Sequence, residues 1–306
     1  PDGGLYIPEQ IPSLSKEDFI KWGSLPYQSR AEAVLQSFLT DFSPIEVSRC
    51  VEAAYNELNF DTARIAPLIE LSPRLHILEL WHGPTSAFKD MALQILPHLL
   101  TTSMKKNGEK NQIVILVATS GDTGKAALEG FRDVEGTRIV VFYPAQGVSQ
   151  IQRLQMITQA GENVNVAGVE GNFDDAQNGV KRIFGDQDFV ELLAKNNMKM
   201  SSANSINWGR LLPQIVYYLS AYADLLQQGR LEYGEEVNIV VPTGNFGNIL
   251  GAYYAREMGL PVNRLICAAN ANNILTDFIN SGVYDRNRPF YKTISPSMDI
   301  LISSNL

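Results

Sequence analysis

From residue 112 onward the chain alternates short, unbroken apolar runs with longer segments that are apolar on one side only. The runs QIVILVAT (112–119), RIVVFY (138–143), VNIVVPT (237–243) and RLICAA (264–269) are bounded by turn residues. They read as strands buried on both faces, as in a parallel sheet. Between them, SQIQRLQMITQA (149–160), FDDAQNGVKRIF (173–184) and GRLLPQIVYYLSAYADLLQQG (209–229) carry helical patterns. Strand, loop and helix in repetition predict an α/β fold. Residues 1–75 are predicted mostly helical. In SPIEVSRCVEAAYNEL, Ser43 is placed to cap, Pro44 takes the first helical position and Glu46 stands three residues after the cap, a strong helix start. The polar stretch GRLEYGEE (229–236) is the best candidate for a seam between two α/β lobes. The expected division is therefore 1–75, a helical N-terminal region; 76–228, a first lobe; and 229–306, a second, incomplete lobe.

Composition narrows the function. The 306 residues suffice for a large core and two lobes. A formal charge of -8 and a pI near 5.0 argue against nucleic acid as a partner, since phosphate backbones need a basic stripe. No apolar stretch is long enough to span a bilayer. The start PDGGLYIPEQ has neither a basic beginning nor an apolar signal core. Cys50 and Cys267 are isolated, as expected of a reduced, cytoplasmic protein. The three histidines, His76, His82 and His98, form no metal-ligand spacing with cysteine, so no metal is expected. The chain begins at Pro1 without Met and ends at DILISSNL without a closing helix, and it is expected to be part of a longer protein.

The chemistry concentrates in three places. In WHGPTSAFKD (81–90), Lys89 follows the short apolar run HILEL (76–80) and opens the predicted helix DMALQILPHLL (90–100). A lysine held at such a junction can face a cleft, and an amine that is partly desolvated or near another cation becomes nucleophilic. Taken alone, a solvated surface lysine is the commoner reading. Next, VILVATSGDTGKAALEGF (114–131) and NIVVPTGNFGNILGAYYAREMG (238–259) each pair a buried strand with a glycine-containing loop and a helix. Glycines let backbone N–H groups converge, and a helix N-terminus adds about half a positive charge. Neither loop is a P-loop, because Thr119 and Ala126 stand where glycine and Ser/Thr are needed, and G-x-G-x-x-G is absent from both. Glycine at a strand-to-helix turn is also ordinary in α/β proteins, so anion binding and plain turning both stay open. Finally, SANSINWGRLLPQ (202–214) puts Asn204, Ser205, Asn207 and Arg210 at a helix start. Arg210 can grip phosphate or carboxylate two-pronged, yet capping is the simpler reading for the cluster.

Taken together and in order, PDGGLYIPE, HGPTSAFKD, ATSGDTG, GVSQIQRLQM, GNFDDAQ, NSINWGR and PTGNFGN resemble the threonine synthases of the fold-type II pyridoxal-phosphate class, from residue 1 to about 275. The resemblance implies the two-lobed α/β architecture of that class, with parallel-rich sheets. It implies that Lys89 forms the Schiff base with pyridoxal 5'-phosphate. It implies that Gly244, Asn245, Phe246, Gly247 and Asn248 wrap the cofactor phosphate. Ser120, Gly121, Asp122 and Thr123 match the loop that receives the amino-acid carboxylate. Asn204, Ser205 and Arg210 match the group around the substrate phosphate, which reverses the capping reading. The family also places a Ser or Thr near its C-terminus against the pyridine nitrogen, and 276–306 offers no counterpart.

The activity implied is conversion of O-phospho-L-homoserine and water to L-threonine and phosphate, by γ-elimination followed by β-addition of water, in threonine biosynthesis. Lys89 is the natural base once the substrate amine displaces it. A threonine-synthase-like phospho-lyase and a serine/threonine dehydratase share the scaffold, and the NSINWGR cluster argues against the dehydratase, whose substrate carries no phosphate. A non-catalytic binding module that kept the fold is the alternative from another class.

Overall fold

The computed structural model describes residues 5–300; the first four residues of the PDGGLYIPE segment and the closing LISSNL lie outside the described residues. The chain divides into two compact units: Gly83–Arg210 forms one, and the segments up to His82 and from Leu211 on form the other.

The N-terminal segment starts with α1 (Lys16–Gly23), α2 (Tyr27–Phe38) and α3 (Pro44–Ala54). The helix start at Ser43 is a reciprocal capping box: Ser43 N–H donates to Glu46 Oε2 at 2.7 Å, and Glu46 N–H donates to Ser43 Oγ. Ser15 and Asp18 repeat the device on α1. A hairpin of β1 (Leu68–Ser72) and β2 (Leu75–Leu78) comes next. The strand expected at 76–80 is thus one arm of this hairpin, and it ends well before Lys89. Beyond it, His82 is held at both ring nitrogens, by Asp61 at 2.5 Å and Glu79 at 2.8 Å. Asp61 N–H also donates to the His82 carbonyl. Burial works to lower the His82 pKa, but the bonds to Glu79 and Asp61 and their charges outweigh it, so the imidazole lies above its ordinary value.

The Gly83–Arg210 unit is built on a four-stranded parallel sheet. Its members are α4 (Asp90–Leu93), α5 (Leu96–Lys106), β3 (Gln112–Ala118), α6 (Asp122–Phe131), β4 (Thr137–Pro144), α7 (Gln150–Ile157), β5 (Val164–Val169), α8 (Phe173–Gly185), α9 (Gln187–Lys195) and β6 (Met198–Ser202). The strand order is β5-β4-β3-β6, every pair parallel. On β3, Ile113, Ile115 and Val117 pack with Leu128 and Phe131 of α6, whereas Val114, Leu116 and Ala118 pack with Ala176 and Val180 of α8. Both faces are covered, which is why β3 reads as a continuous apolar run. β5 and β6 are edge strands with part-exposed, partly polar residues such as Asn165 and Lys199, and they carry no such run.

The single helix expected over 90–100 is two helices. Pro97 has no N–H to return to the Leu93 carbonyl, so the α-helical ladder cannot continue through it. That carbonyl instead points at Gly130 on α6, where a Cβ would lie 2.0 Å from the oxygen. A proline and a glycine far apart in sequence thus make one tight crossing.

The remaining elements are α10 (Trp208–Gln227), β7 (Val237–Pro242), α11 (Gly247–Glu257), β8 (Val262–Ala268) and α12 (Ile274–Ser281). Leu212, Ile215, Val216, Tyr217, Leu219 and Tyr222 of α10 are fully buried, as expected of a helix that is apolar nearly all round. The stretch 229–236 does not coincide with the boundary between the units. Tyr222 Oη donates to the Glu235 carbonyl and accepts from Gly234 N–H, both at 3.1 Å, so the stretch folds back on α10 inside one unit. β7 and β8 pair in parallel, but they differ from the expectation of strands buried on both faces. Val240 is 60% and Ile266 40% exposed, because the described sheet has only these two strands and α11 packs against them.

This packing has two measurable consequences. Gly130→Ala should destabilise the protein by about 2 kcal/mol through overpacking against backbone, whereas Gly179→Ala, with open space at its Cβ, should be neutral or stabilising by up to about 1 kcal/mol. Urea unfolding followed by circular dichroism decides; equal effects would refute the crossing. His82, with its raised pKa, adds stability that is complete below the ordinary histidine value of about 6.5 and is lost as pH rises through the raised value. The melting difference between wild type and His82→Gln should accordingly be larger at mildly acidic than at mildly alkaline pH, and a pH-independent difference would contradict the clamp.

Candidate active site

Lys89 is placed by its own loop. Asp90, fully buried, accepts from Thr85 N–H at 2.9 Å, Thr85 Oγ1 at 2.7 Å and Ala87 N–H at 3.4 Å. Ser86 turns the chain through φ 54°, and a Cβ on Gly83 would sit 2.5 Å from Asp90 Cβ, so glycine is needed there. Burial is the largest influence on Asp90 and raises its pKa, with the Thr85 and Ala87 bonds opposing. The outcome is a tight knot with Lys89 at the start of α4, 7% exposed.

The SGDTG loop reaches the same place from β3. Thr119, buried at the strand end, accepts from Gly121 N–H at 2.9 Å and Gly124 N–H at 2.8 Å. Gly121 has φ 137° and faces the Gln152 amide, which would lie 2.3 Å from a Cβ. This curl starts α6 at Asp122. Asp122 Oδ2 accepts from Lys89 Nζ at 3.1 Å, and Oδ1 accepts from Gln152 Nε2 at 2.6 Å. Lys125 Nζ stands 3.6 Å from Oδ1 and donates to the Thr85 carbonyl at 2.8 Å.

The electrostatics follow from burial. For Lys89, desolvation is the largest effect and lowers the pKa; Asp122 opposes it, while Arg210 and Lys125 add to the lowering. The amine therefore sits below the ordinary lysine range. For Asp122, burial alone would raise the pKa, but the two ammonium groups and the bonds from Gln152 and Lys89 outweigh it and hold the carboxylate below its usual range.

Arg210 completes the cluster in this unit. Its Nη1 donates to the Ala203 carbonyl at 2.9 Å, and its Nη2 to Thr123 Oγ1 at 3.2 Å. Asn204 Nδ2 donates to the Ala118 carbonyl at the end of β3, and Ser205 lies half-buried in the same loop. Capping falls to Asn207, whose Oδ1 accepts from Gly209 N–H at 2.9 Å. Lys89, Asp122, Thr123, Asn204 and Arg210 thus belong to one connected set, with Ser120 and Gly121 in the curl beside them.

The loop 244–248 belongs to the other unit and has its own geometry. Phe246 takes a left-handed conformation, φ 62°, ahead of α11 and makes no side-chain capping bond itself. The N-terminus of α11 presents the partial positive charge and main-chain N–H groups that suit phosphate. Asn248 is pinned by two tyrosines: Tyr217 Oη and Tyr218 Oη both donate to its Oδ1, the latter at 2.6 Å. Burial raises both phenols, so they remain donors. Gly244 lies against Ile300, whose Cδ1 would meet a Cβ at 2.5 Å. Asp299, next in chain, accepts from Thr293 N–H and Oγ1 and from Asn270 and Asn272.

Several of these residues escaped sequence reasoning. Lys125 drew notice only as a failed P-loop lysine, and Gln152 sits in an ordinary helix. Thr85 and Asp90 lie in the HGPTSAFKD segment, but the sequence reading gives them no role there, and Tyr217, Tyr218 and Asp299 lie outside every quoted motif. Among the described residues no group of His, Cys, Asp and Glu could hold a metal, and no helix is long and apolar enough to cross a membrane.

A pyridoxal-phosphate site requires a lysine that can lose its proton and a main-chain cradle for phosphate, and Lys89 and the α11 N-terminus fit these needs. The sequence matches the family described as pyridoxal-phosphate dependent enzyme over residues 62–305, and the threonine synthase N terminus over residues 1–55. It is 46% identical to human threonine synthase-like 1 over 100% of this chain and 42% of that protein. It is 43% identical to a Pseudomonas aeruginosa threonine synthase over 99% of this chain and 62% of the relative. The solved pyridoxal-phosphate-bound threonine synthase from Brucella melitensis superposes with a TM-score of 0.87 at 41% identity, over 99% of this chain and 62% of that one. The chain therefore spans between 42% and 62% of the length of these relatives. Its α/β fold is that of the threonine synthase structures, and the chain belongs to the pyridoxal-phosphate-dependent enzyme family.

Proposed function

We propose that this chain carries the cofactor- and substrate-binding part of a threonine synthase, which converts O-phospho-L-homoserine and water to L-threonine and phosphate. The observation that carries this reading is the buried Lys89 amine, held below its ordinary pKa and bonded to Asp122, in a chain similar throughout to threonine synthases. Bound pyridoxal phosphate supplies an electron sink that acidifies protons beside an attached amino group. Lys89 is the attachment point and, once displaced by the substrate amine, the base that takes the Cα proton. Gly244, Asn245, Phe246, Gly247 and Asn248 hold the cofactor phosphate through main-chain N–H groups at the start of α11.

Ser120, Gly121, Asp122 and Thr123 receive the substrate carboxylate through the loop backbone. The Asp122 side chain is a carboxylate shared among Lys89, Lys125 and Gln152 and cannot itself receive an anion. Asn204, Ser205 and Arg210 take the substrate phosphate; the guanidinium that bonds Thr123 Oγ1 joins this group to the carboxylate loop. The fork geometry of arginine suits such a phosphate. A phospho-lyase that releases phosphate without making threonine is the second reading; the relative that is 46% identical is named threonine synthase-like and not threonine synthase.

The test is titration of the purified protein with pyridoxal phosphate, then addition of O-phosphohomoserine. A visible absorbance trapped by borohydride on Lys89, followed by equal release of phosphate and threonine, is the expected result. Phosphate with 2-oxobutanoate would replace the synthase with the phospho-lyase, and a colourless protein in excess cofactor would sink the assignment altogether. Lys89→Ala should lose the trapped adduct and reduce product formation by at least about a hundredfold. Threonine formed at a near-normal rate by that variant would remove Lys89 from the chemistry.

A further inference from the structure

Lys125 is a buried cation that the proposed reaction does not use. It lies 7% exposed on α6, one turn after Asp122, and its ammonium has two partners. One is the Thr85 carbonyl at 2.8 Å; the other is Asp122 Oδ1 at 3.6 Å. Thr85 is also gripped from its other side, since its N–H and hydroxyl donate to Asp90. Asp90 directly follows Lys89 in the chain. The circuit runs from Lys89 through Asp122, Lys125, Thr85 and Asp90 back to Lys89.

We propose that Lys125 is a positioning residue for Lys89: it fixes the Thr85 carbonyl and shares the Asp122 carboxylate, so that Lys89 holds only part of its counter-ion. The physical reason lies in the number of charges. A buried carboxylate given wholly to Lys89 would trap it as a well-paired ammonium, which is no nucleophile. A second ammonium on the same carboxylate weakens that hold, while Gln152 keeps the carboxylate aimed by its bond to Oδ1. The charged groups acting on Lys89 are Asp122 and Lys125 from α6 and Arg210 from α10. Asp122 favours the ammonium, and the two cations disfavour it. Lys125 also locks the loop, so the amine stays where the circuit puts it. The inference rests on Lys89 being the reactive amine, as proposed above.

Competitive labelling with trace acetic anhydride across a pH series, read by peptide mass spectrometry, reports the titration of Lys89 without cofactor or substrate. In Lys125→Gln and Lys125→Met the Lys89 midpoint should rise by about half a pH unit, and labelling below the midpoint should slow about threefold. Gln keeps an amide donor for the Thr85 carbonyl, which favours a folded variant. Lys125→Arg retains the cation and should restore the wild-type midpoint. A midpoint unchanged in the Gln and Met variants, with only a lower melting temperature, would make Lys125 a purely structural anchor and overturn the proposal. So would failure of both variants to fold while Lys125→Arg folds with an altered midpoint, or failure of all three. Borohydride trapping of pyridoxal phosphate on the wild type is read separately. Loss of that adduct would refute the cofactor role of Lys89, and the labelling midpoints alone decide the role of Lys125.

Discussion

A single carboxylate organises the Gly83–Arg210 unit. Asp122 is buried, and it faces the ammonium groups of Lys89 and Lys125, while the Arg210 charge also acts on Lys89. Charges removed from water are tolerable only when each has partners of good geometry. That requirement accounts for the local backbone. Thr119 must curl the strand end so that α6 begins at Asp122. Gly121 must adopt a positive φ that leaves room for Gln152. Asp90 must knot the loop so that Lys89 emerges at the right depth. The parallel sheet supplies a rigid strand end, and the charge cluster dictates the shape of the loop that leaves it.

The other unit solves a different problem with the same strand-loop-helix device. Phe246 enters a left-handed conformation and makes no side-chain capping bond to α11. Asn248, which could turn back to cap, is bonded by Tyr217 and Tyr218 from α10. Two buried phenols whose pKa is raised by burial are dependable donors, so the asparagine stays committed. Behind the loop, Ile300 packs on Gly244 and the Asp299 network fixes the segment that carries Ile300. These supports come from segments far apart in sequence.

Where a fold element depends on nearby residues, the sequence was sufficient to read it. β3 shows itself because both its faces are apolar, and α3 because Ser43, Pro44 and Glu46 spell its start. The edge strands β5 and β6 were missed because half their surface meets solvent and their residues are mixed. The break between α4 and α5 is missing from the sequence reading, which makes 90–100 one helix; Pro97 causes it, and its partner Gly130 became meaningful only through the crossing. At the candidate site, Lys89, the two glycine loops and Arg210 stood out by motif and by resemblance. Lys125, Gln152, Thr85 and Asp90 receive no role from the sequence, although Thr85, Asp90 and Gln152 lie in quoted motifs, because their roles are pairwise and depend on which loop meets which helix. The polar stretch 229–236, read as a seam from its charge and glycine, is held to α10 by two hydrogen bonds to Tyr222 that no local pattern announces.

The two loops that look alike in sequence are therefore chemically opposite. At α6 the protein has placed its own anion, Asp122, where the positive end of the helix lies, and has surrounded that anion with cations. Such a place has cationic and N–H groups arranged around an internal counter-ion. At α11 the residue before the helix, Phe246, makes no side-chain cap, and the first turn carries no acidic residue to meet the positive helix end. The difference rests on one residue at each helix start, Asp122 against Gly247. It gives one strand-loop-helix device two different electrostatic surroundings in this chain.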